Sequence, residues 1–457
     1  MRCLTPLAVK PYHLHKRTRA VKPETYLLQQ NVSLTDEADV IVVGGGPGGL
    51  GAAVMAARAG ARTILFERYG FLGGMAVSGE VHPFMPNHAR GICLDKPIYL
   101  EWVERMRSYL PPGHPMRAVN DPEAEFEAAR MLSKDCAMLA AEDLCLAAGV
   151  TLRYHHTLAD VVVNGARVEA AIFHSKSGFT AARAAVFIDA TGDADLAARS
   201  GCRYEEGGPS GHSQPMTLCF KLAGVDRTRM PASVALNRLY DAAKARGEIH
   251  CPREDVLLFH WQEPDIVHFN TTRVVQQRAT NSVELSNAEI EARRQLREIL
   301  TFLRTHVSGF EQARLHSVAH HIGVRESRRV KGRAYLERSA FRGTAKFDDA
   351  IARVSYPIDI HSTTGSGTEH DNLPDGEWYE IPYGCIITAD RENLLIAGRP
   401  ISVDHAIHSS MRVMPPAVSV GQAAGMAAAL AIARHVAPAA LDGRDVRTAL
   451  RQVGANL

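Results

Sequence analysis

Residues Val40 to Glu67 read VIVVGGGPGGLGAAVMAARAGARTILFE. The stretch is an apolar strand, a glycine-rich turn, an Ala-rich helix and a second strand that ends on an acid. Gly44, Gly46 and Gly49 have the G-x-G-x-x-G spacing, which permits a tight turn, close backbone approach to a pyrophosphate and close helix packing. The stretch therefore predicts a dinucleotide-binding βαβ unit, with the phosphates at the helix N-terminus and Glu67 accepting a ribose hydroxyl.

The composition is that of a globular protein with room for two or three domains, at 457 residues and a formal net charge of +2. Acids and bases are mixed along the chain, so we expect no nucleic-acid partner. The eight cysteines form no C-x-x-C pair and no metal-ligand cluster, which predicts reduced thiols and no metal.

Targeting signals are not evident in the sequence. The basic first thirty residues lack the apolar stretch of a secretory signal. The Ala-rich run after Pro416 comes nearest to a membrane span, but Gly421, Gln422 and Gly425 interrupt it. We expect a cytoplasmic protein with no membrane span.

Local signals outside the glycine motif divide the chain further. Asp121 followed by Pro122 predicts a helix start, and Gly149 its end. Asn164-Gly165 predicts a hairpin within a β meander, whose last strand ends at Asp189 and rejoins the parent sheet. We therefore predict an N-terminal extension (1–37) and a dinucleotide-binding domain in two parts (38–201 and 377–457). An inserted substrate domain (202–376) separates the two parts.

Four sequence blocks carry a family resemblance: VVGGGPGGLGAA (42–53), ERYGFLGGMA (67–76), IDATGDADLA (188–197), and LLIAGRPIS with RVMPPAVSVGQAAGMAAA (394–402, 412–429). They resemble FAD-dependent oxidoreductases distantly related to fumarate reductase flavoprotein subunits and the flavin subunit of heterodisulfide reductase. A further stretch, IGVRESRRVKGRAYL with FDDAIARVSYPIDIH, is similar to the same family. The resemblance implies an α/β fold: a Rossmann-like, glutathione-reductase-like FAD-binding domain with a β meander and an inserted α+β substrate domain.

The resemblance also implies which residues bind FAD. They are the glycine turn and its acid, the paired-glycine loop, the end of the third sheet strand and the returning C-terminal segment: Gly44, Gly46, Pro47, Gly48, Gly49, Glu67, Arg68, Gly73, Gly74, Met75, Ala190, Thr191, Gly192, Asp193, Gly398, Arg399 and Gly421. The helix that Pro415-Pro416 opens would place its positive end at the flavin. For Asp193 a helix cap, and for Gly421 simple close packing, are the alternatives.

Catalytic candidates follow from position in these blocks. His405 and Arg412 lie between the Gly398 turn and the flavin-facing helix, and Arg325 and His361 lie in the family-like part of the inserted domain. A histidine there can move a substrate proton, and an arginine can bind a carboxylate or a flavin oxygen. Structural histidines and solvent-facing arginines are the alternatives. His408 and, by analogy with covalent flavin attachment in the fumarate reductase group, His82 are weaker candidates.

The predicted function is hydride transfer between flavin N5 and a small polar substrate, anionic or hydroxylated. A flavin monooxygenase and a non-catalytic redox sensor or electron-transfer subunit are the alternatives. The sequence shows no second G-x-G-x-x-G for a nicotinamide domain. It leaves open the electron acceptor, which is oxygen, a quinone, a nicotinamide or a protein, and it also leaves open association into a homo-oligomer.

Overall fold

The computed structural model describes residues 25–114, 117 and 133–457. The chain divides into two units, Met1–Val32 and Ser33–Leu457. In the first unit the described residues, 25–32, are coil. Every helix and strand named below belongs to the second unit.

The helices of the described residues are α1 (Pro47–Arg58), α2 (Ile98–Ser108), α3 (Lys134–Ala147), α4 (Asp195–Arg199), α5 (Ser233–Ala245), α6 (Ser282–His306), α7 (Arg338–Arg342), α8 (His405–Met411), α9 (Met414–Ala433) and α10 (Gly443–Gln452). The strands are β1 (Ser33–Val43), β2 (Thr63–Phe66), β3 (His88–Ala89), β4 (Ile92–Cys93), β5 (Thr151–Arg153), β6 (Thr157–Asn164), β7 (Arg167–Ser175), β8 (Gly178–Asp189), β9 (Tyr204–Glu206), β10 (Phe220–Ala223), β11 (Leu258–His260), β12 (Val267–Phe269), β13 (Arg314–Val318), β14 (Arg328–Val330), β15 (Ala350–Val354), β16 (Ile358–His361), β17 (Thr368–Asp371), β18 (Tyr379–Pro382) and β19 (Leu394–Ile396).

The main sheet has the order β5-β2-β1-β8-β7-β6, and β19 also pairs with β8. Strands β5, β2, β1, β8 and β19 run parallel, whereas β6 and β7 are antiparallel additions. Register places Val43 beside both Phe66 and Asp189. Because these strands are parallel, their carboxyl ends meet at one edge of the sheet, which is where an open α/β sheet binds ligands.

The βαβ unit predicted from Val40 to Glu67 is confirmed as β1-α1-β2. Gly44 has φ 102°, in the left-handed region that glycine alone adopts without strain. A Cβ on Gly49 would lie 1.8 Å from the Gly44 carbonyl oxygen, so only hydrogen fits where α1 leaves the strand. Gly44 and Gly49 therefore each have a steric reason to be glycine.

Helix α9 packs directly on α1 through small residues. A Cβ on Gly421 would lie 1.9 Å from the Gly48 carbonyl oxygen, and one on Gly425 would lie 2.2 Å from the Ala52 carbonyl oxygen. The predicted close-packed helix thus lies against another helix, backbone to backbone. For Gly421 this contact with α1 supports the packing alternative over cofactor contact.

Two hydrophobic cores organise the second unit. The smaller is formed by residues between Met216 and Val324, from the sheet β11-β12-β10-β13 and helices α5 and α6. The larger surrounds the main sheet and also takes in residues from Val330 to Tyr379. The predicted boundaries at residues 202 and 376 stay predictions, because part of that interval belongs to the larger core.

The local predictions outside the glycine motif have three outcomes. The helix start at Asp121 lies outside the described residues, and the helix end at Gly149 is confirmed by α3, which stops at Ala147. The prediction of one continuous helix between them is wrong, because α3 begins at Lys134, where the side chain of the extended residue Ser133 caps it. The meander is also confirmed, since β6, β7 and β8 pair in sequence and β8 rejoins β1. Among the described residues one helix, α9, is long and apolar enough to cross a membrane, but 83% of its apolar window is buried inside the protein.

Candidate functional site: a continuous cavity at the sheet edge

A cavity of about 800 Å³ lies at the carboxyl edge of the main sheet. Its walls come from the β1-α1 turn, the ends of β2, β8 and β19, and the start of α9, and it continues to residues packed around the smaller core. We call the part beside the glycine turn the cofactor end. The part lined by Arg253, Asn270, Arg325, Tyr356, Asp359, His361, Thr368 and Arg412 is the polar end.

Most residues predicted to bind the cofactor line the cofactor end: Gly44, Gly46, Pro47, Gly48, Glu67, Arg68, Gly74, Met75, Ala190, Thr191, Gly192, Asp193, Gly398 and Arg399. Gly49, Gly73 and Gly421 lie outside that lining. Gly49 and Gly421 are packing contacts, and Gly73, at φ 104°, begins the short 3₁₀ turn Gly74–Ala76. The structure therefore gives these three glycines backbone roles rather than a place in the cavity wall.

Glu67 ties the glycine turn to the end of β2. Its Oε2 accepts the N–H of Gly45 at 2.6 Å, and its Oε1 accepts the N–H of Tyr69 at 2.9 Å. Burial raises the pKa of Glu67 and outweighs these two hydrogen bonds. Each carboxylate oxygen has a second lone pair, so Glu67 can accept a further hydrogen bond from a hydroxyl in the cavity.

Arg399 and Asp193 form an ion pair of 2.6 Å between the segments that follow β19 and β8. Nε of Arg399 also donates to the Gly192 carbonyl at 2.9 Å, and Ser327 donates to Asp193 at 2.7 Å. Much of the hydrogen-bonding capacity of Arg399 is thus used to join the two segments. For Asp193 the structure shows a bridging carboxylate in the cavity wall.

Two of the longer helices begin at the cavity with no side-chain cap, α1 at Gly46 and α9 at Val413. An uncapped helix N-terminus carries partial positive charge and free N–H groups. In α9, however, the second and third residues are Pro415 and Pro416, which have no N–H. Helix α9 therefore contributes mainly its dipole, whereas α1 offers backbone donors.

The polar end brings together three of the four predicted catalytic residues. Arg325 donates to the Pro215 carbonyl at 2.7 Å and to Oδ1 of Asn270 at 3.4 Å. Burial, together with the charges of Arg412 and Arg253, lowers the pKa of Arg325 to about 9. Arg412 donates to the Asp359 carbonyl at 3.2 Å and lies 3.6 Å from the Asp359 carboxylate.

His361 is held on both ring nitrogens. Nδ1 lies 3.2 Å from Nη2 of Arg273 and 3.1 Å from Oγ1 of Thr368, and Nε2 lies 3.3 Å from Oδ2 of Asp359. Burial and the charge of Arg325 lower the pKa of His361 to about 3, so the ring is neutral near pH 7. Its geometry is that of a residue positioning Asp359, not that of a free base.

Asp359 is the functional residue that sequence reasoning missed. Burial alone would raise its pKa, but the hydrogen bond from the neutral His361 and the charges of Arg412 and Arg325 hold the pKa below its usual value. Asp359 and His361 are two residues apart on β16 and therefore share a face. The two-residue spacing in the family-like stretch that ends at His361 could therefore have predicted that Asp359 lies beside His361.

The remaining predicted histidines are placed differently. His405 lies outside the cavity lining and pairs with Oε1 of Glu326 at 2.8 Å, so it cannot reach a substrate there. His408 is fully buried outside the lining as well. Because His408 is buried away from the cavity, a structural role is favoured over a catalytic one. His82 does line the cavity, and its Nε2 bonds the Ala76 carbonyl at 2.9 Å.

Comparison with known proteins decides the family. A family model described as FAD dependent oxidoreductase matches residues 39–450. The chain belongs to this family of FAD-dependent oxidoreductases. The predicted cofactor, FAD, and the predicted enzyme class, an oxidoreductase, are therefore confirmed. The more distant kinship with fumarate reductase and heterodisulfide reductase stays a prediction.

Individual relatives of this FAD-dependent oxidoreductase are remote. A stretch of 52 residues is 44% identical to mitochondrial dihydrolipoyl dehydrogenase of Caenorhabditis elegans, covering 11% of this chain and 10% of that protein. A geranylgeranyl bacteriochlorophyll reductase-like protein of Thermoplasma acidophilum is similar in structure, with 13% identity, coverage of 91% and 84%, and a TM-score of 0.43. The p-nitrophenol 4-monooxygenase of Pseudomonas putida DLL-E4 is also similar in structure, with 12% identity, coverage of 92% of this chain and 87% of that chain, and a TM-score of 0.44.

The cofactor end fits FAD on its own chemistry. A Cβ on Gly74 would lie 2.7 Å from the Gly46 Cα, so two backbone segments line the wall where a side chain has no room. The uncapped N-terminus of α1 suits a pyrophosphate, and the free lone pairs of Glu67 suit a ribose hydroxyl. In this FAD-dependent oxidoreductase these are the groups that would hold the dinucleotide.

Proposed function

We propose that the enzyme transfers hydride between flavin N5 and a small polar substrate, anionic or hydroxylated, as a dehydrogenase or oxidase. The continuity of the cavity supports this proposal most directly, because a single space runs from the glycine turn to the charged residues of the polar end. A substrate bound among those residues would lie in the same chamber as the cofactor. The proposal therefore places the binding groups and the redox group on opposite sides of one substrate.

Bound FAD would supply the hydride acceptor, and the chain's own residues would orient the substrate and keep charge balanced. We assign Arg325 and Arg412 to substrate binding, since both line the polar end. His361 would position Asp359, whose ionised carboxylate lies near Arg412. Positioning of this kind contributes to rate by holding the reacting atoms in one geometry.

The direct test is anaerobic reduction of the purified yellow protein by a panel of small acids, polyols and amines. Loss of the visible flavin absorbance with at least one of these compounds, at a rate that saturates with concentration, is the expected result. Arg297→Met is a matched control, because Arg297 is exposed on α6 and lies outside the cavity lining. Its rate should equal that of the unaltered enzyme.

Other outcomes of the panel separate the alternatives. Bleaching by a reduced nicotinamide alone would favour the flavin monooxygenase. Failure of every compound, with partner-dependent reduction instead, would favour the electron-transfer subunit. The same panel can be extended to oxygen, quinones and proteins as oxidants, to identify the electron acceptor. We further propose that the enzyme is cytoplasmic and has no nucleic-acid partner.

A further inference from the structure

Three arginines converge on the polar end: Arg253, Arg325 and Arg412. All three side chains line the same cavity, and burial together with the charges of Arg412 and Arg253 lowers the pKa of Arg325. Like charges brought together in a partly dry cavity repel one another unless anions compensate them. The arrangement thus raises the question of which anions are present.

Two of these arginines have carboxylate partners and one does not. Arg253 donates from Nε to Asp255 at 2.7 Å, and Arg412 lies 3.6 Å from Asp359. The hydrogen bonds that Arg325 donates within the described chain reach the neutral oxygens of Pro215 and Asn270. Glu254, the third carboxylate that lines this end, pairs with the buried Arg273 at 2.9 Å. The described residues therefore leave about one positive charge without a matched carboxylate, and that charge is on Arg325.

Unpaired donors accompany this charge. Within the described residues, Nη1 of Arg253 and Nε of Arg412 are buried and have no hydrogen-bond partner. The side chain of Arg253 is only 6% exposed, so solvent satisfies little of its donor capacity. A buried charged donor without an acceptor is costly, and an acceptor-only ligand in the cavity removes that cost.

We propose that the polar end is a carboxylate-binding subsite in which Arg325 is the counter-ion of a substrate monocarboxylate. The planar guanidinium matches a carboxylate with two parallel N–H···O bonds. A dianionic phosphate fits less well, because Asp255, Asp359 and the nearby Glu254 line the same space and would repel a second negative charge. The proposal rests on the proposed function, since it names the class of the substrate in that same cavity.

The test uses the FAD-loaded enzyme and pairs of ligands that differ only in charge. Acetate and acetamide, then glycolate and glycolamide, are titrated while the flavin absorption spectrum reports binding. The carboxylate should bind about 10- to 100-fold more tightly than its amide, and Arg325→Met should abolish that difference by weakening the carboxylate far more than the amide. Arg325→Lys should restore part of the difference, whereas Arg297→Met should change nothing.

Three results would overturn the carboxylate subsite. One is equal affinity for the acid and its amide in the unaltered enzyme, and another is tighter binding of inorganic phosphate than of acetate. The third is an Arg325→Met variant that retains FAD and keeps full carboxylate selectivity. If Arg325→Met does not retain FAD, the acid-to-amide ratio of the unaltered enzyme still supports or rejects the subsite. Reduction of the flavin by a neutral alcohol but not by its acid would sustain the hydride-transfer function and reject this subsite.

Discussion

Nη2 of Arg273 lies 3.2 Å from Nδ1 of His361. A guanidinium can only donate, so Nδ1 accepts and the ring proton sits on Nε2, directed at Asp359. The same guanidinium donates to the carbonyls of Gly365 and Gly367 and pairs with Glu254. One buried arginine therefore fixes the tautomer of His361 and the loop beside it.

Replacement of Arg273 by lysine should lower kcat/KM at least about tenfold without loss of bound FAD. Lysine keeps the charge but has no rigid fork, so it cannot hold the loop carbonyls and the imidazole together. Steady-state kinetics and the flavin-to-protein ratio give the measurement. Arg278→Lys, at an exposed arginine paired with Glu284, is the control. An unchanged kcat/KM in Arg273→Lys would reject the positioning role.

Removal of His405 should cost stability and leave catalysis intact. His405→Ala removes a hydrogen bond to the buried Glu326, which we expect to lower the free energy of unfolding by about 1–2 kcal/mol. Because His405 does not line the cavity, kcat should stay within about twofold. Urea unfolding and turnover, measured on the same preparation, test both halves. A large fall in kcat with unchanged stability would return His405 to the catalytic residues.

Gly421→Ala should destabilise the contact between α1 and α9. The added methyl would lie 1.9 Å from the Gly48 carbonyl oxygen, and overpacking of this kind costs about 1–3 kcal/mol. Gly365→Ala is the matched control, since a Cβ there meets nothing within 4 Å. Chemical unfolding of both variants is the measurement, and equal stabilities would contradict the contact.

Asp95→Asn should become relatively more stabilising as pH rises. Burial raises the pKa of Asp95 to about 7, despite hydrogen bonds from Ser419 and Asn87. The unfolded carboxyl ionises near 3.8, so between these values the folded state holds a proton that the unfolded state has released, and stability falls with rising pH. Asparagine cannot ionise and escapes that loss.

The advantage of Asp95→Asn should therefore grow between about pH 4 and pH 7 and level off above, on the order of 4 kcal/mol in total. Urea unfolding of both proteins at several pH values measures the difference. A difference that does not vary with pH would show that the pKa of Asp95 is not raised.

Glu67→Gln should weaken FAD binding about 10- to 100-fold. The carboxylate accepts hydrogen bonds from two backbone N–H groups, and in the variant an amide nitrogen, itself a donor, would face one of them. Titration of the FAD-free protein, followed by the quenching of flavin fluorescence, gives the affinity. Glu169→Gln, on the exposed face of β7, should bind FAD normally. Equal affinities in the two variants would remove Glu67 from the cofactor end.

The glycine turn could be predicted because its reasons are local. Positive φ at Gly44 and the carbonyl contact of Gly49 follow from the spacing within six residues. The meander and the end of α3 were predictable for the same reason, since turn residues act on their immediate neighbours.

The polar end depends on packing between segments far apart in sequence. Arg273 and His361 meet although they are 88 residues apart, and no spacing rule predicts that contact. Similarly, His405 has the right position in the sequence, but the orientation of α8 turns it toward Glu326. Residue type and motif identified the candidates, and only tertiary structure could separate cavity walls from core.

The shared chamber at the sheet edge has a consequence for the order of assembly. Because one cavity spans both ends, a dinucleotide lying along the glycine turn would itself form a wall of the space left for substrate. The enzyme would then complete its substrate pocket only after loading its cofactor. Binding would be sequential, and a carboxylate offered to the FAD-free protein would meet an oversized chamber with one side missing.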